Sequence, residues 1–336
     1  MKVCRHVDPP FALQIEPTEG CSLACSFCGI QSIRDNGADA ESGTHGKNSA
    51  PYRFMVVRTV TILSKQVNSL GWNPRWEFAM HGEPTMNKDL PLMFKAVKKH
   101  NKRAFIQLTS NGSGLLKSPV DTIRSYFEAG MSTLALDDYK HSGGWVAKIV
   151  EAVRQDDDLS SVLKFYPKDK DGNPHRRHTK RLITVINDIS DNSEGNHQLT
   201  NQGGNSFQAT RASIEQPCAK PFRELSVRWD GNVALCCDDW VGKYKIGNVH
   251  DVALEDIWYS EEFEAARRRL FLGDRNFGPC RGCDVKSKRV GLLPDKMGKH
   301  RDKILPPDDE SHAVLKSALK GQVFTLKLDK SGCVIP

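Results

Sequence analysis

Three cysteines stand within eight positions in the segment GCSLACSFCGI, at Cys21, Cys25 and Cys28. The compartment decides what such crowding means. No run of the 336 residues approaches 18 apolar positions, and the N-terminal MKVCRHVDPPFALQI lacks the apolar stretch of a secretory signal. The expectation is a cytoplasmic, reduced protein with no membrane segment, in which clustered thiols bind metal rather than pair as disulfides. Zinc usually takes four ligands from two paired arms. Here the spacing is C-x3-C-x2-C, and the nearest further candidate, His45, lies in a Gly/Ser/Asn-rich loop. Three thiolates on one tight loop suit one face of a cubic [4Fe–4S] cluster, leaving the fourth iron open to a ligand.

Around that loop the chain alternates between strand and helix patterns. PFALQIEP ends just before the cysteines. RWEFAM, RAFIQLTSNG and STLALDD read as further strands, with SVLKFY and RLITVIND as a fifth and sixth. Residues 54–70, 88–100 and 144–155 read as helices, and SPVDTIRSYFEAG is bounded by Ser118, Pro119 and Gly130. This alternation favours a parallel sheet, whose sites gather at the C-terminal strand ends. The polar PKDKDGNPHRRHTK between the last two strands does not read as a helix, which leaves a hairpin or a shorter barrel open.

A second cysteine set follows: Cys218-x12-Gly231-x4-Cys236, then Cys280-x2-Cys283. Between them ELSVRWDGNVALCC reads as a hairpin turning at Asp230-Gly231, and residues 253–270 read as a helix. By spacing alone, a zinc ribbon or a further cluster would fit. Cys237, adjacent to Cys236, reads as a packed spare, a substitute ligand or an acid near substrate. Cys4 and Cys333 read as free thiols.

The N-terminal C-x3-C-x-aromatic-C, with Phe27 in the aromatic place, resembles the signature of the radical SAM enzymes. The resemblance implies a partial (β/α)6 TIM-like barrel. It also implies an open iron that chelates S-adenosylmethionine, whose reductive cleavage gives a 5′-deoxyadenosyl radical. His81-Gly82-Glu83-Pro84 stands where the family has Gly-Gly-Glu-Pro, so Gly82 and Glu83 are candidate SAM contacts, and His81 replaces the first glycine. Ser110-Asn111-Gly112 resembles the family's carboxylate or ribose contact, and Asp137 its ribose-facing strand end. Each of these also reads as an ordinary turn or strand terminator. The second cysteine set resembles the C-terminal auxiliary-cluster domain of the SPASM and twitch subfamilies. With no further cysteine until Cys333, the shorter twitch form is the match, implying a second [4Fe–4S] held by Cys218, Cys236, Cys280 and Cys283. The implied layout is a core at 10–205, an α/β partial barrel; an auxiliary cluster domain at 206–290; and a tail at 291–336 that caps the barrel.

The substrate is less legible. A net charge of +7 comes from dispersed Lys and Arg, with concentrations at RRHTKR, RRR and KSKR but without the interleaved aromatics of a single-strand binder. A small-molecule or nucleotide-type substrate is the primary expectation, with a reductant such as flavodoxin or ferredoxin as partner. Alternatives are a peptide, a thymidine-type DNA base, or, outside enzymes, zinc-stabilised nucleic-acid binding. The chain begins twenty residues before its first cluster motif, so no leader-peptide-binding domain is expected. The polar stretch 187–207, with His197, Asn201 and Gly203-Gly204, reads as a linker or a substrate loop.

Overall fold

The computed structural model describes residues 7–23, 25, 28–30, 52–139, 144–165, 181–186, 200–205, 214–240, 242 and 244–285. Phe27, His45, His197, Cys4, Cys333, the KSKR segment, most of RRHTKR and the tail from 291 lie outside the described residues. In chain order the strands are β1 (Ala12–Ile15), β2 (Thr18–Glu19), β3 (Arg53–Phe54), β4 (Arg75–Phe78), β5 (Ile106–Ser110), β6 (Thr133–Asp137), β7 (Leu163–Phe165), β8 (Leu182–Ile186), β9 (Glu224–Val227), β10 (Asn232–Ala234) and β11 (Lys245–Asn248). The helices are α1 (Val57–Ser69), α2 (Leu90–His100), α3 (Pro119–Glu128), α4 (Trp145–Arg154), α5 (Asp157–Ser161), α6 (Lys220–Arg223), α7 (Leu254–Trp258) and α8 (Glu261–Phe271).

One sheet carries the order β11-β10-β9-β1-β4-β5-β6-β8-β7. The strands from β9 to β7 run parallel, and β10 and β11 add an antiparallel edge. Side chains alternate between faces. Leu13, Ile15, Trp76, Phe78, Ile106, Leu108, Leu134 and Leu136 join one core with Leu63, Phe94, Ile123 and Ile149 of the helices. The opposite face carries Gln14, Glu16, Glu77, Thr109, Thr133, Asp137, Glu224 and Ser226, all of them at least partly buried. A sheet apolar on the helix side and polar on the other is what a half-barrel with a working interior requires.

The fifth and sixth expected strands form, but not as a hairpin and not in chain order. β8 pairs in parallel with β6 over five residues, and β7 lies outside it. The burial explains the exchange. Ile183 and Val185 are buried on β8, whereas Lys164 and Phe165 of the three-residue β7 are exposed, as suits an edge. The helix expected over 253–270 divides at Ser260, whose hydroxyl accepts from Phe263 N at 3.2 Å and so starts α8 afresh. The Asp230-Gly231 turn joins β9 to β10, with Gly231 at φ 87°. β9 falls in the stretch expected as a second domain, yet it pairs with β1, Ala12 opposite Glu224 and Ile15 opposite Val227. Among the described residues no helix is long and apolar enough to cross a membrane.

Candidate functional site

The C-terminal ends of β1, β4, β5 and β6 open on one cavity. Its wall includes Cys21, Cys25, Cys28, His81, Gly82, Glu83, Ser110, Asn111 and Asp137. The cysteine loop leaves β1 through Gly20 at φ 117°, a left-handed turn that favours glycine. Cys28 N donates to Cys25 O at 3.0 Å, which folds the last two thiols into one turn. Two donors face Cys21 Sγ: Leu23 N and Asn111 Nδ2, each at 3.4 Å. Cys25 is buried with Leu23 against Tyr139 and Trp145.

β4 ends directly beneath this loop. A Cβ on Gly82 would lie 1.9 Å from Thr18 O and 2.5 Å from Gly20 O, so only glycine lets the two chains meet. The next amide, Glu83 N, donates to Gly20 O at 2.9 Å. The Glu83 carboxylate turns the other way and accepts from Ser110 Oγ (2.6 Å), Asn111 N (2.8 Å) and Thr85 N (2.9 Å). Burial pushes its pKa up despite these donors. The HGEP and SNG motifs are thus one hydrogen-bonded unit, with Glu83 tying the two strand ends together.

Asp137 differs from Glu83 in having an open side. Its Oδ2 accepts from Tyr139 OH at 3.2 Å, while Oδ1 is buried with no donor among the described residues. Burial raises its pKa to about 7. His81 occupies a glycine's expected place with a bridge of its own. Nδ1 faces Glu16 Oε1 at 2.8 Å, Nε2 faces Cys237 O at 2.8 Å, and the ring lies 4.5 Å from that of Trp240. Burial pushes the Glu16 carboxyl up, but Arg228, His81 and the Trp229 amide together outweigh that and hold it at about 2.

Cys218, Cys236, Cys280 and Cys283 are all buried. Cys280 and Cys283 sit on the 3-10 turn Gly278–Gly282 and its end, where Cys283 N donates to Cys280 O at 3.1 Å. Buried Arg275 spans the neighbourhood, donating to Gln216 O at 2.8 Å and Val285 O at 3.0 Å. Burial drives the thiols of Cys218, Cys280 and Cys283 up, and the Arg275 charge acts against that rise. Cys237 points elsewhere: its sulfur accepts from Lys220 Nζ at 2.8 Å, and Lys220 also pairs with Asp238 at 2.5 Å.

Sequence reasoning missed several cavity residues, among them Tyr139, Gln202 and Trp240. Trp240, four positions after Cys236, has a buried indole N–H with no acceptor among the described residues. Gln202 lies in the polar stretch read as linker or substrate loop, and its Oε1 accepts from Gly29 N at 2.5 Å. Its neighbour Asn201 donates to Gly282 O at 2.5 Å, and its backbone amide to Asp284 Oδ1 at 2.8 Å. Residues 201–202 therefore span from one cysteine region to the other. Nothing in their pattern marks that role beforehand.

Among the described residues no three His, Cys, Asp or Glu side chains converge on a single metal ion. The donor chemistry suits a larger group. Three thiols belong to one cavity wall with two polar atoms, Asp137 Oδ1 and Trp240 Nε1, that have no partner among the described residues. Cys218, Cys280 and Cys283 are buried near the Arg275 charge and near one another, and Cys236 is buried near Cys280, so that bound metal there would stabilise the thiolates that burial disfavours.

Residues 218–284 match the family of SPASM iron–sulfur cluster-binding domains. The chain is 24% identical over 276 residues to the S-adenosyl-L-methionine-dependent 2-deoxy-scyllo-inosamine dehydrogenase of Niallia circulans, spanning 81% of this chain and 92% of that protein. The crystal structure of BtrN in complex with AdoMet and 2-DOIA superposes with a TM-score of 0.61 at 19% identity, covering 86% of this chain and 97% of the other. BtrN in an open conformation gives 0.52 at 18% identity, over 83% and 94%. With the N-terminal cysteine signature, the C-terminal domain match and the shared fold together, the chain is similar to the radical SAM enzymes of the SPASM/twitch subfamily.

Proposed function

We propose that this radical SAM enzyme dehydrogenates a hydroxylated small molecule related to 2-deoxy-scyllo-inosamine, converting a secondary alcohol to a ketone. The observation that carries the reading is the meeting of Cys21, Cys25 and Cys28 with the Glu83–Ser110–Asn111 unit and the open Asp137 oxygen around one cavity. Bound there, S-adenosylmethionine and a [4Fe–4S] cluster would supply the hydrogen-atom acceptor, and a [4Fe–4S] cluster at the second cysteine set would supply the one-electron acceptor that a net dehydrogenation needs, with the hydroxyl proton released to solvent.

In this reading Cys21, Cys25 and Cys28 hold the first cluster, and the Asn111 amide steadies Cys21. The backbone at Gly82 and Glu83 lines the cofactor's place, because the absence of a side chain at Gly82 brings it against the cysteine loop. Ser110 and Asn111 present the strand end held by the Glu83 carboxylate. Asp137 Oδ1 accepts a ribose hydroxyl. Phe27, outside the described residues, fills the signature's aromatic place. Cys218, Cys236, Cys280 and Cys283 hold the second cluster. Leu23 and Trp240 exclude water from the wall they share. The polar sheet face offers hydroxyl-binding groups, which suits a polyol better than an apolar ligand. A flavodoxin- or ferredoxin-type reductant completes the cycle.

The test is anaerobic incubation of reconstituted enzyme with SAM, reductant and 2-deoxy-scyllo-inosamine deuterated at its carbinol carbons. Expected are deuterium in 5′-deoxyadenosine and a ketone product; unlabelled 5′-deoxyadenosine without ketone rejects this substrate class. Cys25→Ala is expected to abolish 5′-deoxyadenosine formation altogether.

A further inference from the structure

His81 is the residue at which this chain departs from the glycine-glycine-Glu-Pro pattern it otherwise follows. The side chain is almost fully buried, at 3% exposure, and is engaged on three sides. Glu16, just beyond the end of β1, takes Nδ1 at 2.8 Å, and the Cys237 carbonyl takes Nε2 at 2.8 Å. The Glu16 carboxylate and the Cys237 carbonyl thus lie at opposite ring nitrogens, both within hydrogen-bond distance. The third contact is Trp240, whose ring lies 4.5 Å away at 34°. Glu16 is itself anchored to the second region, by Trp229 N at 3.1 Å and Arg228 Nε at 3.4 Å.

These contacts fall on a particular turn. Cys236, Cys237 and Trp240 belong to one segment after β10, in which Asp239 N donates to Cys236 O at 3.1 Å. Cys236 is a proposed ligand of the second cluster, and Trp240 is part of the cavity wall. A glycine at position 81 would leave the Cys237 carbonyl and the Trp240 ring without these partners. The turn would keep its Lys220 contacts at Cys237 and Asp238 but lose its side-chain tie to the end of β4.

We infer that His81 is a positioning residue that couples the second cysteine site to the SAM cavity, by fixing the Cys236–Trp240 turn against the end of β4. The inference rests on the assignment of Cys236 to a cluster, made above, but its geometry does not depend on the substrate. Hydrogen bonds around a cluster's ligands tune its potential. The second cluster, rather than the first, is therefore where the loss of His81 registers.

Three variants separate the contributions. H81F keeps a ring beside Trp240 but donates nothing. H81Q restores a donor within reach of the carbonyl. H81G restores the family residue. In the reconstituted holoenzyme, H81F and H81G are expected to shift the midpoint potential and the electron paramagnetic resonance signal of the second cluster. Amide exchange over 236–242 accelerates about tenfold, as loss of one hydrogen bond of about 1.4 kcal/mol implies. H81Q is expected to recover most of both effects.

Superimposable potentials and exchange in H81F and wild type overturn the proposal. So does an H81Q protein as impaired as H81F, which reduces His81 to a space-filling ring. Should wild-type protein bind no second cluster, the electron-acceptor role proposed above fails. Exchange over 236–242 then decides the positioning role by itself.

Discussion

Glu16 illustrates how one buried carboxylate organises two parts of the chain. It reaches His81, Arg228 and the Trp229 amide from the end of β1. Held at about 2 in the fold against an ordinary value of 4.5, it contributes stability that is fully present above pH 4.5 and lost as pH falls toward 2. Glu16→Gln removes one of the two carboxylates that face buried Arg228 and leaves Glu19 as its partner, with an expected cost of about 1–3 kcal/mol in chemical denaturation at pH 7. Asp137 runs in the opposite direction. Burial raises it from 3.8 to about 7, so the cofactor-free protein loses stability as pH rises across that interval. Asp137→Asn is expected to flatten thermal stability between pH 4 and 7 and to weaken SAM binding in a direct titration. A variant that binds SAM as tightly as wild type rejects the ribose contact. At this scale the motifs were legible because a cysteine spacing or a glycine has local meaning. Glu16 and Trp240 were not, because their partners lie hundreds of residues or a domain away.

At the scale of elements, local chemistry set most boundaries. Pro119 opens α3, Gly130 closes its turn at φ 110°, and Gly231 turns the β9–β10 hairpin. Ser118 stands at the α3 start without a side-chain cap bond, so the proline alone does the specifying there. The exchange of β7 and β8 escaped sequence reading for a physical reason. Strand order depends on which strand covers more of the core, and a short apolar run does not state that. The junction of β4 with the cysteine loop is the most constrained contact in the site. Gly82→Ala is expected to cost about 1–3 kcal/mol through backbone overlap with Thr18 and Gly20, and to lower SAM affinity. Thermal melts and SAM titration check both. An alanine variant with wild-type melting and affinity rejects the close packing.

For the whole molecule, the decisive fact is that β9 lies beside β1 in one sheet. The chain's second cysteine region is thereby joined to the strands and loop that line the cavity through backbone hydrogen bonds, through Glu16 and Glu19 to Arg228, and through Asn201–Gln202. A chain ending before Ile214 exposes the β1 edge and strips Arg228 from both carboxylates. It is expected to aggregate and to show no cooperative melt, as read by light scattering and calorimetry. In the full chain, anaerobic reconstitution is expected to give about eight irons, and Cys236→Ser about four with SAM cleavage retained. Metal analysis decides that; zinc in place of iron rejects the cluster assignment.

Sequence alone narrowed the chemistry on offer: the first three thiols are spaced as a cluster-type ligand set, the second set fits zinc or a cluster, and strand–helix alternation favours a parallel sheet. These are short-range facts, fixed by covalent spacing and by periodicity. Tertiary structure alone decided which side chains share a cavity, which carboxylate is satisfied and which is left open, and that His81 joins two cysteine regions. Those outcomes depend on contacts across as many as two hundred residues, where burial and hydrogen-bond partners are set by the fold rather than by neighbours in the chain.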